Sequence, residues 1–351
     1  MAGANETGEG GFLTARKRAT IAWVCVGVLA VLAGATMAPH AGWFADVIAG
    51  MAAQWLGLGV ILTIVMAALR RWIQAGVALL VSVVFLVVLL PGRAAVSDPA
   101  AAPPPGYRVI RVLQLNANTL NDEASDAFRL IMEIDADIVS LIEAPTALVH
   151  QIRDSQEVAR RYSPFYIAEG AKAGWPLLLT RWEQRGGPDW APGPLWRTSP
   201  QNGEGYVMRV EHPEGPFFMM QTHAVSPRSR SRWSAGNDLV ARLAKRVRTE
   251  LEPLKLPIIL ACDLNSSPTG WRSRRLVGDC SLRRGKPLRI PAGTFPSWLP
   301  WPLTISIDDV FVSPDVSVRT WKAVDIPGSD HRGVLVELLV PGTGAEESQT
   351  P

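Results

Sequence analysis

Polar side chains stand where apolar runs end along the C-terminal two thirds of this chain. The run Val112-Leu113-Gln114-Leu115 closes on Asn116, and Asp137 to Ile142 closes on Glu143. Thr222-His223 ends another run, Ile258 to Cys262 leads into Asp263-Leu264-Asn265, and Ile307 leads into Asp308. Ser329-Asp330-His331 directly precedes the last run. Singly these are weak signals, because Asn and Asp commonly begin turns. Together, oxygen donors and two histidines gathered at strand ends are what a hard cation and phosphate chemistry require. His223 or His331 alone would read as a hydrogen-bonded structural residue; their company reverses that. Asp122, Asp135 and Asp137 read as turn or strand-start carboxylates, and His40, His150 and His212 have no supporting constellation.

These residues need strands to carry them. Apolar runs predict strands over 109–115, 137–142, 176–180, 206–210, 217–222, 258–262, 305–312, 316–324 and 333–340. Helical periodicity predicts helices over 123–134, 146–161 and 231–251. The two runs within 206–222 follow each other with no room for a helix between them, which suits an antiparallel hairpin. The mixture predicts packed sheets with helices outside them, and not one purely parallel doubly wound sheet.

In this order, a strand ending in Asn, "DIVSLIE", "TH", "DLN" followed by Pro268, "IDDVFVS" and "SDHR", the chain resembles the endonuclease/exonuclease/phosphatase superfamily over about 108–340. The resemblance implies a four-layer α/β sandwich, two packed mixed sheets with outer helices, and a site at one edge of the sheets. It implies that Glu143, Asn116 and Asp330 bind Mg²⁺ or Mn²⁺. Asp263 would orient and deprotonate the attacking water, and Asn265 would hold that water or a phosphate oxygen. His331, oriented by Asp308, would meet the phosphoryl oxygens, and His223 would bind phosphate or assist the leaving group. The chain departs from the family pattern at Asp309, where many members have His, at Cys262 and Leu264 around Asp263, and at Thr180-Arg181. None of these removes a required group.

The N-terminal third is different. Stretches 19–45, 47–69 and 72–92 carry no Asp, Glu, Lys or Arg, and each reaches the roughly 20 residues a membrane-crossing helix needs. Three transmembrane helices are expected, at about 19–41, 47–69 and 72–92. The first is too long for a signal-peptide core. Arg16, Lys17, Arg18, Arg70 and Arg71 outweigh Arg93, which sets residues 1–18 in the cytoplasm and everything after 92 outside it. A Pro-rich spacer at 93–106, a catalytic domain at 107–340 and a disordered tail at 341–351 complete the expected organisation. A three-span prefix also resembles bacterial membrane-anchored members linked to glycopeptide resistance and proposed to act on lipid-linked phosphates.

The formal net charge of +3 gives no overall basic signature for nucleic acid. The local exception is Arg228, Arg230 and Arg232 ahead of Arg242, Lys245, Arg246 and Arg248, either a solvated helix face or a phosphate-attracting patch. Cys262 and Cys280 permit one disulfide in an oxidising compartment, although two buried thiols are the simpler expectation. Trp298 and Trp301 lie in a Pro-rich loop suited to a membrane interface, while Trp175 and Trp271 are expected in the core. The expected activity is therefore hydrolysis of a phosphate ester or pyrophosphate, lipid-linked or otherwise of the envelope, by an integral protein of the bacterial cell membrane. A metal-dependent DNA nuclease is the alternative, and a catalytically silent membrane-anchored binding domain is the second alternative. The oligomeric state is not legible.

Overall fold

The computed structural model describes residues 15–163, 176–185, 204–288 and 293–343. The expected tail beyond 343, most of the expected cytoplasmic segment, and Trp175 lie outside the described residues.

The apolar N-terminal stretches are helical: α1 (Ala15–Met37), α2 (Trp43–Ala49), α3 (Ala52–Ala68) and α4 (Trp72–Leu89). By length and composition, α1 and α4 can each cross a membrane, and α2 with α3 makes a third candidate bent by 63°. Leu29, Ala33, Phe85 and Leu89 pack between the helices. Their outer surfaces expose Val31, Ile64, Ile73 and Leu80, which water would penalise and lipid would not. The expected 47–69 span is not one straight helix. It breaks at Gly50 and Met51, and Asp46, on the short helix before the break, is buried and engaged elsewhere.

That engagement docks the helices onto the rest of the chain. Asp46 accepts the Trp271 backbone N–H and the Trp233 indole N–H, both at 2.7 Å. Trp43 donates to the Pro227 carbonyl at 2.6 Å, Gln54 to the Thr304 carbonyl at 2.9 Å, and Arg274 to the Thr36 carbonyl at 2.6 Å. Trp271 belongs to this seam and not to the core; its ring lies 5.7 Å from that of His40. The Pro-rich spacer is also drawn in: β1 (Ala95–Val96) pairs in parallel with a strand more than two hundred residues later.

The strands that follow are β2 (Tyr107–Asn116), β3 (Ile138–Ile142), β4 (Leu177–Thr180), β5 (Glu183–Arg185), β6 (Glu204–Glu211), β7 (Phe217–His223), β8 (Ile258–Asp263), β9 (Arg283–Arg284), β10 (Asp308–Val312), β11 (Ser317–Asp325) and β12 (Arg332–Pro341). They form two six-stranded mixed sheets, ordered β1-β11-β12-β2-β3-β4 and β5-β6-β7-β8-β10-β9. Successive side chains of a strand point to opposite faces, and the cores follow that period. Val112, Val336, Met219, Ile259 and Val310 meet between the sheets. Leu113, Leu115 and Leu141 face outward under α5 (Ala124–Ile134) and α6 (Thr146–Asp154), while Phe218, Met220 and Leu260 face outward under α8 (Arg230–Arg246). Both faces are covered, so the central strands read as continuous apolar runs and not as alternating ones. The result is the expected four-layer α/β sandwich.

Some elements differ from expectation. The helix expected over 146–161 is two, because the Ser155 hydroxyl accepts the Val158 N–H at 3.3 Å and starts α7 (Gln156–Arg161) anew. The strand expected over 305–312 begins only at Asp308; Ile305 instead bridges Phe295. Helix α9 (Trp271–Asp279) was not expected, since WRSRRLVGD looks too charged to bury a face. It does so by burying Arg272 beside Leu276. Cys262 and Cys280 are separate buried thiols, and burial pushes the Cys280 thiol up to about 12.

Candidate active site

Strand register brings the strand-end residues together. In the second sheet Asp263 lies directly opposite His223 of β7 on one side and Asp308 of β10 on the other. In the first sheet β2 and β3 run parallel and end level, Asn116 beside Ile142, so that Glu143 emerges next to Asn116. Glu143 turns out of its strand through a left-handed backbone at φ 50°, and Asn265 does the same at φ 47°. Asp330 and His331 enter from the turn before β12.

Asp263 is the meeting point of both sheets. Its Oδ2 accepts the Asn116 amide at 3.0 Å, which joins β8 to β2 across the sandwich. The same oxygen is 3.9 Å from His223 Nε2 and 3.9 Å from His331 Nδ1. Its Oδ1 accepts the Asn265 backbone N–H at 2.8 Å. His223 Nε2 also lies 3.2 Å from Glu143 Oε1. His331 Nδ1 lies 2.9 Å from Asp308 Oδ2, and Phe295 packs its ring 4.9 Å from the imidazole. Asn265 donates one amide hydrogen to the Ala224 carbonyl at 3.0 Å, which fixes the side chain and leaves its amide oxygen free to accept from a water. Asp330 reaches the group through Asn118, whose amide donates to Asp330 Oδ1 at 3.0 Å. All eight residues singled out from the sequence thus gather at one edge of the sandwich.

Burial sets the electrostatics. Asp263 is fully buried, and desolvation, reinforced by the neighbouring Asp308 carboxylate, holds its carboxyl above the usual range. Burial alone would lower His331, but Asp308, then Asp263 and Asp330, outweigh it and push the imidazole up to about 10. At neutral pH His331 is therefore an imidazolium. It can meet the charge of a phosphoryl group but cannot act as a base. A histidine raised in the folded state stabilises it fully below its unfolded value of about 6.5 and loses that contribution as pH rises through about 10. Wild-type protein in EDTA is thus expected to lose urea resistance across that window relative to Asp308→Asn. Parallel curves for the two proteins would show that the pair contributes nothing.

Several contributors escaped the sequence reading. The Ser329 hydroxyl donates to the Asn116 carbonyl at 2.7 Å and accepts the His331 N–H at 3.1 Å. Thr294 Oγ accepts the backbone N–H groups of both Ile307 and Asp308 at 3.1 Å. Asn118 and Ser329 lie within two residues of assigned positions and were open to recognition. Thr294 precedes Asp308 by fourteen residues and ends no apolar run, so nothing local marks it. Asp309, the departure from the family pattern, points away from the site. It pairs with Arg284 at 2.9 Å and accepts the Trp321 indole at 3.1 Å. The arginines of α8 and its approach, Arg228, Arg230, Arg232 and Arg242, are exposed, the solvated face.

The donor set fits a hard divalent cation. Carboxylate and amide oxygens are the ligands Mg²⁺ and Mn²⁺ favour. Asp308 Oδ1 is buried with no hydrogen-bond partner, and carboxylates crowded around Asp263 call for a compensating positive charge. The tightest ligand grouping is Asp263, Asp308 and His331. His331 Nδ1 and Asp308 Oδ2 are already paired with each other there, so the partly exposed Glu143, with the buried Asn116 beside it, is the better first ligand.

Two packed mixed sheets with such a constellation at their edge define a phosphoester hydrolase of the sandwich type. The chain belongs to the Endonuclease/Exonuclease/phosphatase family, whose profile it matches over residues 113–331; members are hydrolases acting on phosphoester bonds, generally with a divalent metal. No curated protein sequence matches it. Among solved structures it is similar to D. rerio TDP2 humanized by 14 mutations, at 16% identity and TM-score 0.50, covering 66% of this chain and 98% of that one. It is also similar to an endonuclease/exonuclease/phosphatase from Beutenbergia cavernae, at 20% identity and TM-score 0.48, covering 67% and 72%. The human Nocturnin catalytic domain with bound sulfate aligns at 16% identity and TM-score 0.47, covering 68% and 99%. At such identities the likeness concerns the fold.

Proposed function

We propose that the protein is a membrane-anchored, divalent-metal-dependent hydrolase of a lipid-linked phosphate ester or pyrophosphate, facing outward from the bacterial cell membrane. It would be akin to the anchored members linked to glycopeptide resistance. The observation that carries this reading is a cavity of about 200 Å³ between the anchor and the site. Asn265 lies on its wall together with Val47 and Met51 of the anchor and Pro227, Ile305 and Ile307 of the catalytic domain. An apolar chain attached to a phosphate at Asp263 finds apolar walls there, which a nucleotide would not need.

Other features support the same reading. Trp298, Trp301 and Leu303 are 74%, 56% and 57% exposed beside the carbonyls that Gln54 of α3 holds, and Trp is favoured at membrane interfaces. Arg16 to Arg18 at the start of α1, and Arg70 and Arg71 between α3 and α4, lie at the helix ends away from the catalytic domain, the distribution expected with the domain outside.

In this mechanism a water oxygen attacks phosphorus in line while the bond to the leaving oxygen breaks, and Asp263 takes the water proton. The Asn265 amide oxygen orients that water. The His331 imidazolium, held by Asp308, meets the charge growing on the phosphoryl oxygens. His223, between Glu143 and Asp263, donates toward the leaving oxygen. A divalent cation held by Glu143, Asn116 and Asp330 would add Lewis-acid polarisation of the phosphoryl group.

Full-length protein in detergent with Mg²⁺ should release phosphate from a polyprenyl pyrophosphate and, more slowly, from a soluble aryl phosphate. Val47→Trp, which fills the cavity, should lower the lipid rate by about tenfold, or about 1.4 kcal/mol of transition-state binding, and leave the soluble rate unchanged. Rapid cutting of duplex DNA with no phosphate released from lipid would replace this reading with a nuclease.

A further inference from the structure

A second cavity, of about 110 Å³, lies on the anchor–domain seam; it adjoins the first, sharing Gly50, Ser267 and Ile305 with it, and Asp263 does not line it. The end of α4 at Leu89, the start of α3 at Ala53 and Gln54, and the loops at Ser267, Lys286 and Ser306 enclose it. Its charge is unbalanced. Arg93, Arg284 and Lys286 cluster there around a single carboxylate, Asp309. Asp309 is fully used: one oxygen takes Arg284, and the other accepts from the Trp321 indole and its neighbour's backbone N–H. Arg93 spends its terminal nitrogens on the Leu89 and Lys286 carbonyls, which are neutral, and its Nε is buried without a partner. Among the described residues, the Lys286 ammonium is set against the Trp321 face, 5.5 Å away. Ser306, 5% exposed, lines the same cavity with its hydroxyl unpartnered.

Two cations in excess and an idle hydroxyl around a cavity are the wall of an anion site, because buried charge is costly until it is paired. Burial, with Arg284 beside it, holds the Lys286 ammonium down at about 8, and a bound anion would raise it again. The position selects among anions. The cavity opens at the ends of two membrane-crossing candidates, the level at which lipid phosphates lie, and Leu89 and half-exposed Leu288 give it an apolar border.

We propose that this seam cavity binds the phosphate of an anionic phospholipid through Lys286, Arg93 and the Ser306 hydroxyl, and that the bound headgroup stabilises the docking of the catalytic domain on its anchor. The inference rests on the membrane reading above but not on any particular substrate.

The test uses full-length protein in uncharged detergent with EDTA and follows thermal unfolding as short-chain phosphatidylglycerol, phosphatidylcholine or inorganic phosphate is added. Phosphatidylglycerol should raise the midpoint, and phosphatidylcholine should not. Lys286→Met, which keeps the stem against Trp321, should weaken that response about tenfold, the usual scale for one charged hydrogen bond. Ser306→Ala, which removes a hydroxyl with no structural partner, should weaken it severalfold and keeps the test decisive if Lys286→Met folds poorly. An equal response in wild type and Ser306→Ala together with Lys286→Met, or no response to phosphatidylglycerol, would overturn the site. An equal response to inorganic phosphate would overturn its assignment to lipid. Hydrolysis is not read, so failure here leaves the proposed activity standing, and loss of that activity would leave this site standing.

Discussion

Asp263→Asn is expected to lower kcat by about 10²–10⁴-fold, the scale of removing a general base, while leaving the protein folded. The two halves of this expectation share one cause. Burial, and then repulsion from Asp308, disfavour the Asp263 carboxylate, so its ionised form is held at a loss that an isosteric amide avoids. The amide keeps the shape but only one of the two acceptors, so its NH2 must face either the Asn116 amide or the Asn265 N–H, which offsets part of that gain. It cannot take a proton from water. The same shift fixes the pH profile: a base held above the ordinary carboxylate range is competent above its raised value, and kcat/KM falls as pH drops through it. Rate and melting temperature should be measured together. A variant that keeps most of its rate, or loses rate only because it unfolds, would remove Asp263 from the role of base.

Arg272→Met is expected to destabilise the catalytic domain by on the order of 3–5 kcal/mol, since it orphans several buried acceptors at about 1–3 kcal/mol each. The guanidinium is 1% exposed. It donates to the Leu264 carbonyl at 2.7 Å, the Val225 carbonyl at 2.9 Å and Asn237 Oδ1 at 3.1 Å. Leu264 follows Asp263 and Val225 lies two residues beyond His223, so one side chain ties down the ends of both strands that carry the second sheet's share of the site. Gly236 makes room for it, since a Cβ there would run into the guanidinium. Lys at 272 should not rescue, because one ammonium cannot reproduce a planar fork aimed at separate acceptors. The readouts are the melting temperature and, below it, kcat; an unchanged melting temperature would sink the argument.

The residues that carry chemistry were the easiest to read because they sit where covered strands run out. A strand buried on both faces is a plain apolar run, and a polar side chain at its end is conspicuous against it; Asn116, Glu143 and Asp263 are all of this kind. What escaped was set by contacts between distant parts of the chain. Asp46 stands beside an apolar stretch and looks like a loop carboxylate until Trp233 and Trp271 are placed against it. Arg272 is one of three arginines in a short charged segment, and nothing local separates the one that is buried from the two that are not. The 93–106 segment has the composition of a spacer, yet Ala95 and Val96 add a strand to a sheet edge that only the folded domain offers. Asp309 departs from the family pattern because it faces Arg284 and Trp321, a pairing made by β9 and β11 and not by its own strand.

The Asp46 mooring has a kinetic consequence. A hydrolytic head on a slack tether would sample a hemisphere of solution, and its turnover would follow bulk concentration. On the proposed membrane anchor, a head held by α2 would stay at one height and tilt above the bilayer, so its encounters would become those of a two-dimensional search. Turnover on a lipid should then track the mole fraction of that lipid in the surface and stay indifferent to the total amount of membrane supplied.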